Sequence, residues 1–150
     1  MQIIRRENFL EILAENGNPP YLYSLDNVNW QTSNIFKNLD AGIYQIYVKS
    51  QTNSCTAVAT SAVLFIPNAF TPNHDGYNDV WRVSNIEFFS NVKLKIFDKF
   101  GIQVFTAEDV LKFNWNGLYN GRLLPSGTYW YVMEIDGHYT RTGWILLKNR

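Results

Sequence analysis

Residues 66–79 read Ile66-Pro67-Asn68-Ala69-Phe70-Thr71-Pro72-Asn73-His74-Asp75-Gly76-Tyr77-Asn78-Asp79. Asn and Asp side chains hydrogen-bond to the backbone two residues on, and Gly and Asn tolerate left-handed backbone conformations. The density of these residues predicts a loop of one defined shape with an acidic rim. The strand before the loop, predicted over 58–66, should end at Pro67, because proline offers no N–H to a β-ladder.

The composition around this loop is that of a β protein. The 150 residues include five Trp, nine Tyr and ten Phe, which together with Val, Ile and Thr suit a pleated, half-buried surface. Regularly spaced Gly, Pro and Asn supply the turns. The length fits one ordinary domain or two small ones. We therefore predict an all-β fold.

The charge pattern excludes some classes of partner. Thirteen basic residues balance thirteen acidic ones, and no block of Lys or Arg exceeds two, so nucleic acid and anionic membranes are not expected partners. The longest purely apolar run, 62–66, is far shorter than the roughly twenty residues that span a bilayer. We predict a soluble monomer with no direct membrane insertion.

The first residues and the lone cysteine add two expectations. Arg5 and Arg6 follow Met1 before any apolar stretch long enough for a signal peptide. The chain is therefore expected to be intracellular or, in better agreement with the motifs below, the C-terminal part of a longer secreted protein. Cys55 has no cysteine partner for a disulfide or zinc site and is predicted to be a partly buried thiol.

A repeat at an offset of 85 positions divides the chain. Each copy carries Asn-Trp followed by Leu-x-x-Gly-x-Tyr, and the five identities are Asn29/Asn114, Trp30/Trp115, Leu39/Leu124, Gly42/Gly127 and Tyr44/Tyr129. A strand follows in each copy, over 43–49 and 128–135. We expect the two glycines to adopt positive φ before the strand, and each tyrosine to bury its ring and donate its hydroxyl to nearby backbone.

The other strands follow from apolar alternation and turn residues. Two hairpins are predicted, one joining 9–14 to 21–25 and the other a two-residue Asp136-Gly137 turn joining 129–135 to 139–147. Val92, Leu94 and Ile96 should face the core, and the turn 98–101 should lead into a strand at 102–105. With a boundary near Ile66, we predict two tandem immunoglobulin-like antiparallel β-sandwich units, residues 1–65 and 66–150.

The second unit resembles the type B C-terminal sorting domain of the type 9 secretion system, which is also called the gliding motility-associated C-terminal domain. The resemblance rests on motifs in order: residues 66–79, the segment 94–105, Trp115-Asn116-Gly117, the segment 121–129 and the final apolar strand 143–148. His74 stands where the family usually has Gly, which suggests that this position does not require positive φ. Phe100 stands where Trp is common.

The resemblance implies a secretion signal without catalytic activity. Outer-membrane components of the type 9 secretion machinery would recognise it in the periplasm and move the polypeptide to the cell surface or the medium. The loop 71–79, the turn 98–101 and the strand 143–148 are the expected recognition surface. Its candidate residues are Thr71, Pro72, Asn73, Asp75, Gly76, Asn78, Asp79, Lys99, Gly101, Trp144 and Lys148.

The first unit resembles the immunoglobulin-like repeats of gliding adhesins, and 19–26, 36–44 and Cys55 carry that likeness. The parent protein would then belong to the cell surface. No motif in the sequence identifies the passenger or the membrane component that reads the signal. None indicates whether the signal is cleaved after export.

The sequence also bears on three other functions. Asn73, Asp75 and Asp79 overlap the first half of a calcium loop, but Thr71 and Arg82 occupy the first and twelfth ligand positions, so a loop held by turn hydrogen bonds is favoured over Ca²⁺ binding and no cofactor is expected. No catalytic motif occurs, so an enzyme is not expected.

An adhesive or carbohydrate-binding module is the alternative function, and it would require exposed, coplanar rings at Trp81, Trp130 and Trp144.

Overall fold

The computed structural model describes residues 1–137 and 139–149. Over these residues the secondary structure consists of β-strands and two short 3₁₀ helices, Ile86–Phe88 and Val110–Lys112. The predicted all-β class is thereby confirmed. None of the helices in the described ranges has the length and apolarity needed to cross a bilayer. The chain divides into two compact units, Met1–Phe65 and Ile66–Arg150.

The first unit is a sandwich of two three-stranded antiparallel sheets. Its strands are β1 (Gln2–Arg5), β2 (Leu10–Leu13), β3 (Tyr21–Ser24), β4 (Ile35–Phe36), β5 (Gly42–Ser50) and β6 (Thr56–Val63). One sheet has the order β1-β2-β4 and the other β3-β5-β6. Leu10 and Ile12 of the first sheet and Tyr23, Ile46 and Val48 of the second form one buried cluster. Alternate residues of both sheets therefore meet in a shared core.

The second unit is built on a five-stranded sheet. Its strands are β7 (Ala69–Phe70), β8 (Trp81–Arg82), β9 (Lys93–Phe97), β10 (Gln103–Ala107), β11 (Asn114–Trp115), β12 (Leu118–Tyr119), β13 (Arg122–Leu123), β14 (Gly127–Ile135) and β15 (Tyr139–Leu147). The large sheet has the order β10-β9-β14-β15-β7, and the short pairs β8–β11 and β12–β13 lie outside it. All pairs are antiparallel except β7 with β15, which is parallel.

Aromatic rings join the layers of the second unit. Trp81 of β8 packs on Tyr131 of β14 with ring centroids 5.6 Å apart, and Trp115 of β11 meets the edge of Tyr129 at 5.2 Å. The β8–β11 pair therefore covers the inner face of the large sheet. Val92, Leu94 and Ile96 are buried on that face as predicted, whereas Lys93 and Lys95 are exposed.

The repeat seen in the sequence extends to a hydrogen bond. The Tyr44 hydroxyl donates to the Asp40 carbonyl at 2.7 Å, and the Tyr129 hydroxyl donates to the Pro125 carbonyl at 2.8 Å, so donors and acceptors both recur at an offset of 85. The prediction of positive φ at Gly42 and Gly127 is wrong. Both are first residues of strands, paired with Val63 and Leu147, and neither has a positive φ.

Three further expectations are corrected in the first unit. Segments 9–14 and 21–25 do not form a hairpin, because β2 pairs with β1 and β4 while β3 pairs with β5 in the other sheet. The strand predicted over 58–66 ends at Val63, because its partner β5 begins opposite that residue at Gly42. Cys55 is exposed, since it lies in the connection just before β6.

The predicted hairpin between β14 and β15 forms, but its connection is longer than two residues. The last ladder pair is Ile135 with Tyr139, so three positions separate the strands. Asp136 and Gly137 both have positive φ, 54° and 74°, as the Asp-Gly signal implies. His138 lies outside the described residues.

Candidate functional site

The loop that follows β7 is held by the carboxylate of Asp79. Its Oδ1 accepts the backbone N–H groups of Asn73 at 3.0 Å and His74 at 2.6 Å, and its Oδ2 accepts that of Gly76 at 2.8 Å. Thr71 N–H donates to the Asn78 carbonyl at 2.7 Å and closes the base of the loop. One acidic side chain therefore fixes the path of the backbone from Asn73 to Gly76.

Asp75 organises the tip of the same loop. Its Oδ1 accepts the backbone N–H of Tyr77 at 2.8 Å and its Oδ2 accepts the side-chain amide of Asn73 at 2.8 Å, while Asn73 Oδ1 accepts the Asp75 N–H at 3.1 Å. Such Asx turns let the chain reverse without help from neighbouring strands. The expected loop held by Asn and Asp hydrogen bonds is the one observed.

The inference that position 74 does not require positive φ, drawn from His74 standing where the family usually has glycine, is wrong. The φ of His74 is 63°, and Gly76 and Asn78 also have positive φ, 88° and 52°. The position therefore has the left-handed conformation that glycine adopts most easily. The hydrogen bond from its N–H to Asp79 holds the histidine backbone in that conformation.

The charge of Asp79 is stabilised by these contacts. Desolvation alone would raise the pKa of its carboxyl, but the N–H groups of Gly76, His74 and Asn73 outweigh that effect and the pKa lies below its ordinary value. Because the pKa is lower in the folded loop, the stabilising effect is complete above the ordinary value near 3.8 and is lost as the pH falls through the folded pKa.

Replacing Asp79 with alanine is expected to release the loop. Amide hydrogen exchange at Asn73, His74 and Gly76 should accelerate roughly tenfold or more, because three charge-assisted hydrogen bonds are lost together. Asp75→Ala is the matched control, since it removes only one backbone contact, to Tyr77. Equal acceleration at these three amides in both variants would contradict the role assigned to Asp79.

The turn after β9 is built in the same way. Asp98 Oδ1 accepts the N–H groups of Phe100 and Ile102, each at 2.9 Å, and Gly101 N–H donates to the Asp98 carbonyl at 3.0 Å. The turn leaves Phe100 exposed, and the Lys99 ammonium lies 5.1 Å from the centre of its ring. Burial and, secondarily, the charge of Asp98 raise the pKa of Tyr129.

The strand directions bring the three expected segments to one end of the large sheet. β7 and β15 run parallel and end together, with Phe70 beside Leu147, and Lys148 N–H donates to the Phe70 carbonyl at 3.1 Å. β14 begins at this end opposite Leu147, and β9 ends here opposite Trp130. The loop 71–79, the turn 98–101 and the end of β15 therefore leave the sheet at the same end.

Exposure differs among the candidate recognition residues. Pro72 is buried, so its side chain cannot meet a partner in this conformation, and Thr71 and Asp79 are half-buried. The exposed candidates are Asn73, Asp75, Gly76, Asn78, Lys99, Gly101, Trp144 and Lys148. The charged residues among these exposed candidates are Asp75, Lys99 and Lys148.

The outer face of the large sheet carries an aromatic pair. Trp130 and Trp144 are directly opposite each other on β14 and β15, are 52% and 65% exposed, and have nearly parallel rings whose centroids are 6.2 Å apart. Trp81 is completely buried and donates from Nε1 to the Pro67 carbonyl at 2.6 Å. Of the three rings that the alternative function would require on the surface, Trp130 and Trp144 are exposed and Trp81 is not.

Phe97 is paired with Trp130 and belongs to the outer face, as its alternation with Leu94 and Ile96 predicts. Sequence reasoning missed one part of this region. Asn149 ties the end of the chain to the repeat motif, with N–H to Ser126 Oγ at 2.8 Å and its side-chain amide to the Leu124 carbonyl at 2.7 Å. No local pattern indicated that contact.

A family model for the CHU_C type IX secretion signal domain matches residues 64–147. The chain belongs to this CHU_C family. The match spans nearly all of the second unit, from the residues before the Asp79 loop to the end of β15. The CHU_C assignment therefore confirms the resemblance to a type 9 sorting domain. It does not extend to most of the first unit, whose likeness to adhesin repeats stays a prediction.

The CHU_C chain was also compared with curated proteins and with solved structures. No curated protein matches it at a significant level. Thirteen chains of solved structures do, and one is described as "Biofilm associated protein - BSP domain". That structure is 14% identical with a TM-score of 0.36, and the alignment covers 95% of this chain and 28% of that one. The chain thus spans little more than a quarter of that protein's length.

Proposed function

We propose that residues 66–150 are a non-catalytic signal of a cell-surface protein of the gliding or adhesin type, and that outer-membrane components of the type IX machinery read the signal as a folded surface. The family match carries the proposal, because a type IX secretion signal domain implies export to the cell surface or extracellular space. The adhesin context rests on the sequence of the first unit alone.

The proposed recognition surface is the end of the large sheet that carries the loop 71–79, the turn 98–101 and Lys148. Its loop and turn are each fixed by one aspartate, Asp79 or Asp98, through several backbone N–H groups. A surface that is already ordered can be bound without the entropic cost of ordering it. Rigid shape at this end therefore supports recognition of the folded domain.

Export of a fluorescent passenger tests the proposed function. Residues 66–150, with and without residues 1–65, are fused behind a signal peptide and a fluorescent protein in a bacterium that has the type IX system. Surface or medium fluorescence that disappears when the machinery is disabled is expected for both fusions. Periplasmic retention of both fusions would contradict the proposal.

Charge reversal localises the recognition surface. Lys99→Glu combined with Lys148→Glu is expected to reduce export, because both lysines are exposed at the proposed end. Lys112→Glu is the matched control. Lys112 is also exposed but follows β10, whose last residue Ala107 pairs with Leu94 at the opposite end of the sheet. Equal export by both variants would remove this end from the proposal.

Carbohydrate binding by the outer face is a second candidate, which the Trp130–Trp144 pair favours because exposed rings stack on the apolar faces of sugars. Binding to insoluble polysaccharides that is abolished by Trp144→Ala would support it, and no binding by the wild type would eliminate it for the polysaccharides tested.

Asn73, Asp75 and Asp79 have the spacing of the first half of a calcium loop, and we propose that this loop nevertheless needs no metal. Both Asp79 oxygens already accept backbone N–H groups. Across the described ranges, no three His, Cys, Asp or Glu side chains are grouped to hold a metal ion. Adding Ca²⁺ is therefore expected to leave the melting temperature unchanged, and a concentration-dependent rise would contradict this.

A further inference from the structure

Among the described residues, no strand of the large sheet pairs with the segment from Thr140 to Trp144 on the side of β15 away from β14. β15 pairs with β14 over all nine of its residues. On its other side, β7 covers only Leu146 and Leu147. An unpaired strand edge presents a row of N–H and C=O groups that can pair with another chain.

The hydrogen bonds to β7 identify which backbone groups face this edge. Leu146 N–H donates to the Asn68 carbonyl at 2.8 Å and Lys148 N–H to the Phe70 carbonyl. Because successive residues of a strand direct these groups to alternate sides, Thr140, Thr142 and Trp144 face the same edge. Within the described residues, the backbone N–H groups of these three have no hydrogen-bond partner on that side, and their side chains are exposed.

The two edges of the sheet differ in how they are protected. At the β10 edge the register shifts between Gln103 and Phe105, and such a bulge discourages pairing with another strand. The register of β15 with β14 is uninterrupted from Tyr139 to Leu147. The edge residues Thr140 and Thr142, whose backbone groups face outward, are uncharged, and Arg141 between them directs its side chain to the opposite face from theirs.

A small apolar cavity lies beside the open edge. It has a volume of about 280 Å³ and is lined by Asn68, Ala69, Thr128, Trp144 and Leu146. Ala69 is the β7 residue paired with Leu146, and Trp144 is two positions back along β15. A strand that extends the line of β7 along the edge would place one side chain at this cavity, since alternate side chains point to the same face.

We propose that the edge from Thr140 to Trp144 binds an extended peptide segment of the outer-membrane component that reads the signal, by β-strand addition. The backbone groups of Thr140, Thr142 and Trp144 supply the hydrogen bonds, and the cavity takes one large apolar side chain of the peptide. This combination of main-chain pairing and a side-chain pocket is an established mode of peptide recognition. The inference rests on the proposed secretion function and names how its partner is held.

Thr142→Pro tests the edge in the full chain. Proline removes the outward N–H, which no strand of the domain uses, and prolines are tolerated where that group faces solvent. Thr142→Ala keeps the N–H and is the matched control. With the passenger fusion, we expect export to fall at least about tenfold for Thr142→Pro and to be unchanged for Thr142→Ala. If the wild-type fusion is exported and the Thr142→Pro fusion is exported equally well, the inference is overturned while the secretion function stands.

Amide exchange of the wild-type chain provides a test that needs no variant to fold. The chain is mixed with a detergent-solubilised outer-membrane fraction from a bacterium with the type IX system. The amides of Thr140, Thr142 and Trp144 are expected to become protected only with this fraction, and not with one from a strain that lacks the machinery. Unchanged exchange at all three overturns the inference, as does protection in the chain alone that rises with its concentration, which would indicate edge pairing between two copies.

Discussion

Replacing Trp115 with alanine is expected to destabilise the second unit by about 3–5 kcal/mol. The side chain is buried and its ring contacts those of Phe70 at 5.3 Å and Tyr129 at 5.2 Å, with Phe105 at 6.5 Å. Removing it leaves a cavity between the β8–β11 pair and the large sheet. Denaturant unfolding of the full chain, followed by circular dichroism, measures the loss.

Two other tryptophans are the controls for this prediction. Trp144→Ala is expected to change the free energy of unfolding by no more than about 0.5 kcal/mol, because the ring lies mostly in solvent. Trp30, which occupies the same place as Trp115 in the repeat, is half-buried with the Lys49 ammonium 3.8 Å from its ring centre. Trp30→Ala should therefore cost less than Trp115→Ala. A Trp144→Ala variant as unstable as Trp115→Ala would contradict the layer assignment.

The sequence was informative where a local pattern determines the backbone. Alternation placed Val92, Leu94 and Ile96 in the core, and the repeat identified the two tyrosines whose hydroxyls bond to Asp40 and Pro125. The Asn and Asp residues of the loop 71–79 likewise act within a few residues of themselves. Each of these features depends on neighbours in sequence, so no knowledge of strand pairing was needed.

Strand pairing was the part that the sequence did not determine. The 9–14 and 21–25 segments are separated by a turn-like stretch, yet each pairs in a different sheet. The connection between β14 and β15 is one residue longer than predicted, and this extra residue shifts the register of the two strands. A two-residue turn would have placed Trp130 opposite Gly143, whereas the observed ladder places it opposite Trp144. The aromatic pair therefore depends on the length of a turn, which residue preferences alone specify poorly.

Gly143→Ala is expected to destabilise the second unit by about 1–3 kcal/mol through overpacking. A Cβ at this position would lie 2.6 Å from Tyr131 Oη and 2.7 Å from its Cε1 and Cζ atoms. The Tyr131 ring cannot simply withdraw, because Trp81 packs on it at 5.6 Å. β15 must therefore move or Tyr131 must rotate, and denaturant unfolding of the full chain measures the cost.

Gly127→Ala is the matched control, because Gly127 is also in the β14–β15 ladder, has no positive φ and has nothing within 4 Å of an added Cβ. Its unfolding free energy should match the wild type or rise slightly. Combining Gly143→Ala with Tyr131→Leu should cost less than the two single changes together, because they share one contact. If the losses of unfolding free energy in the two single variants add up in the double variant, the close approach of Gly143 to Tyr131 is not what requires glycine at this position.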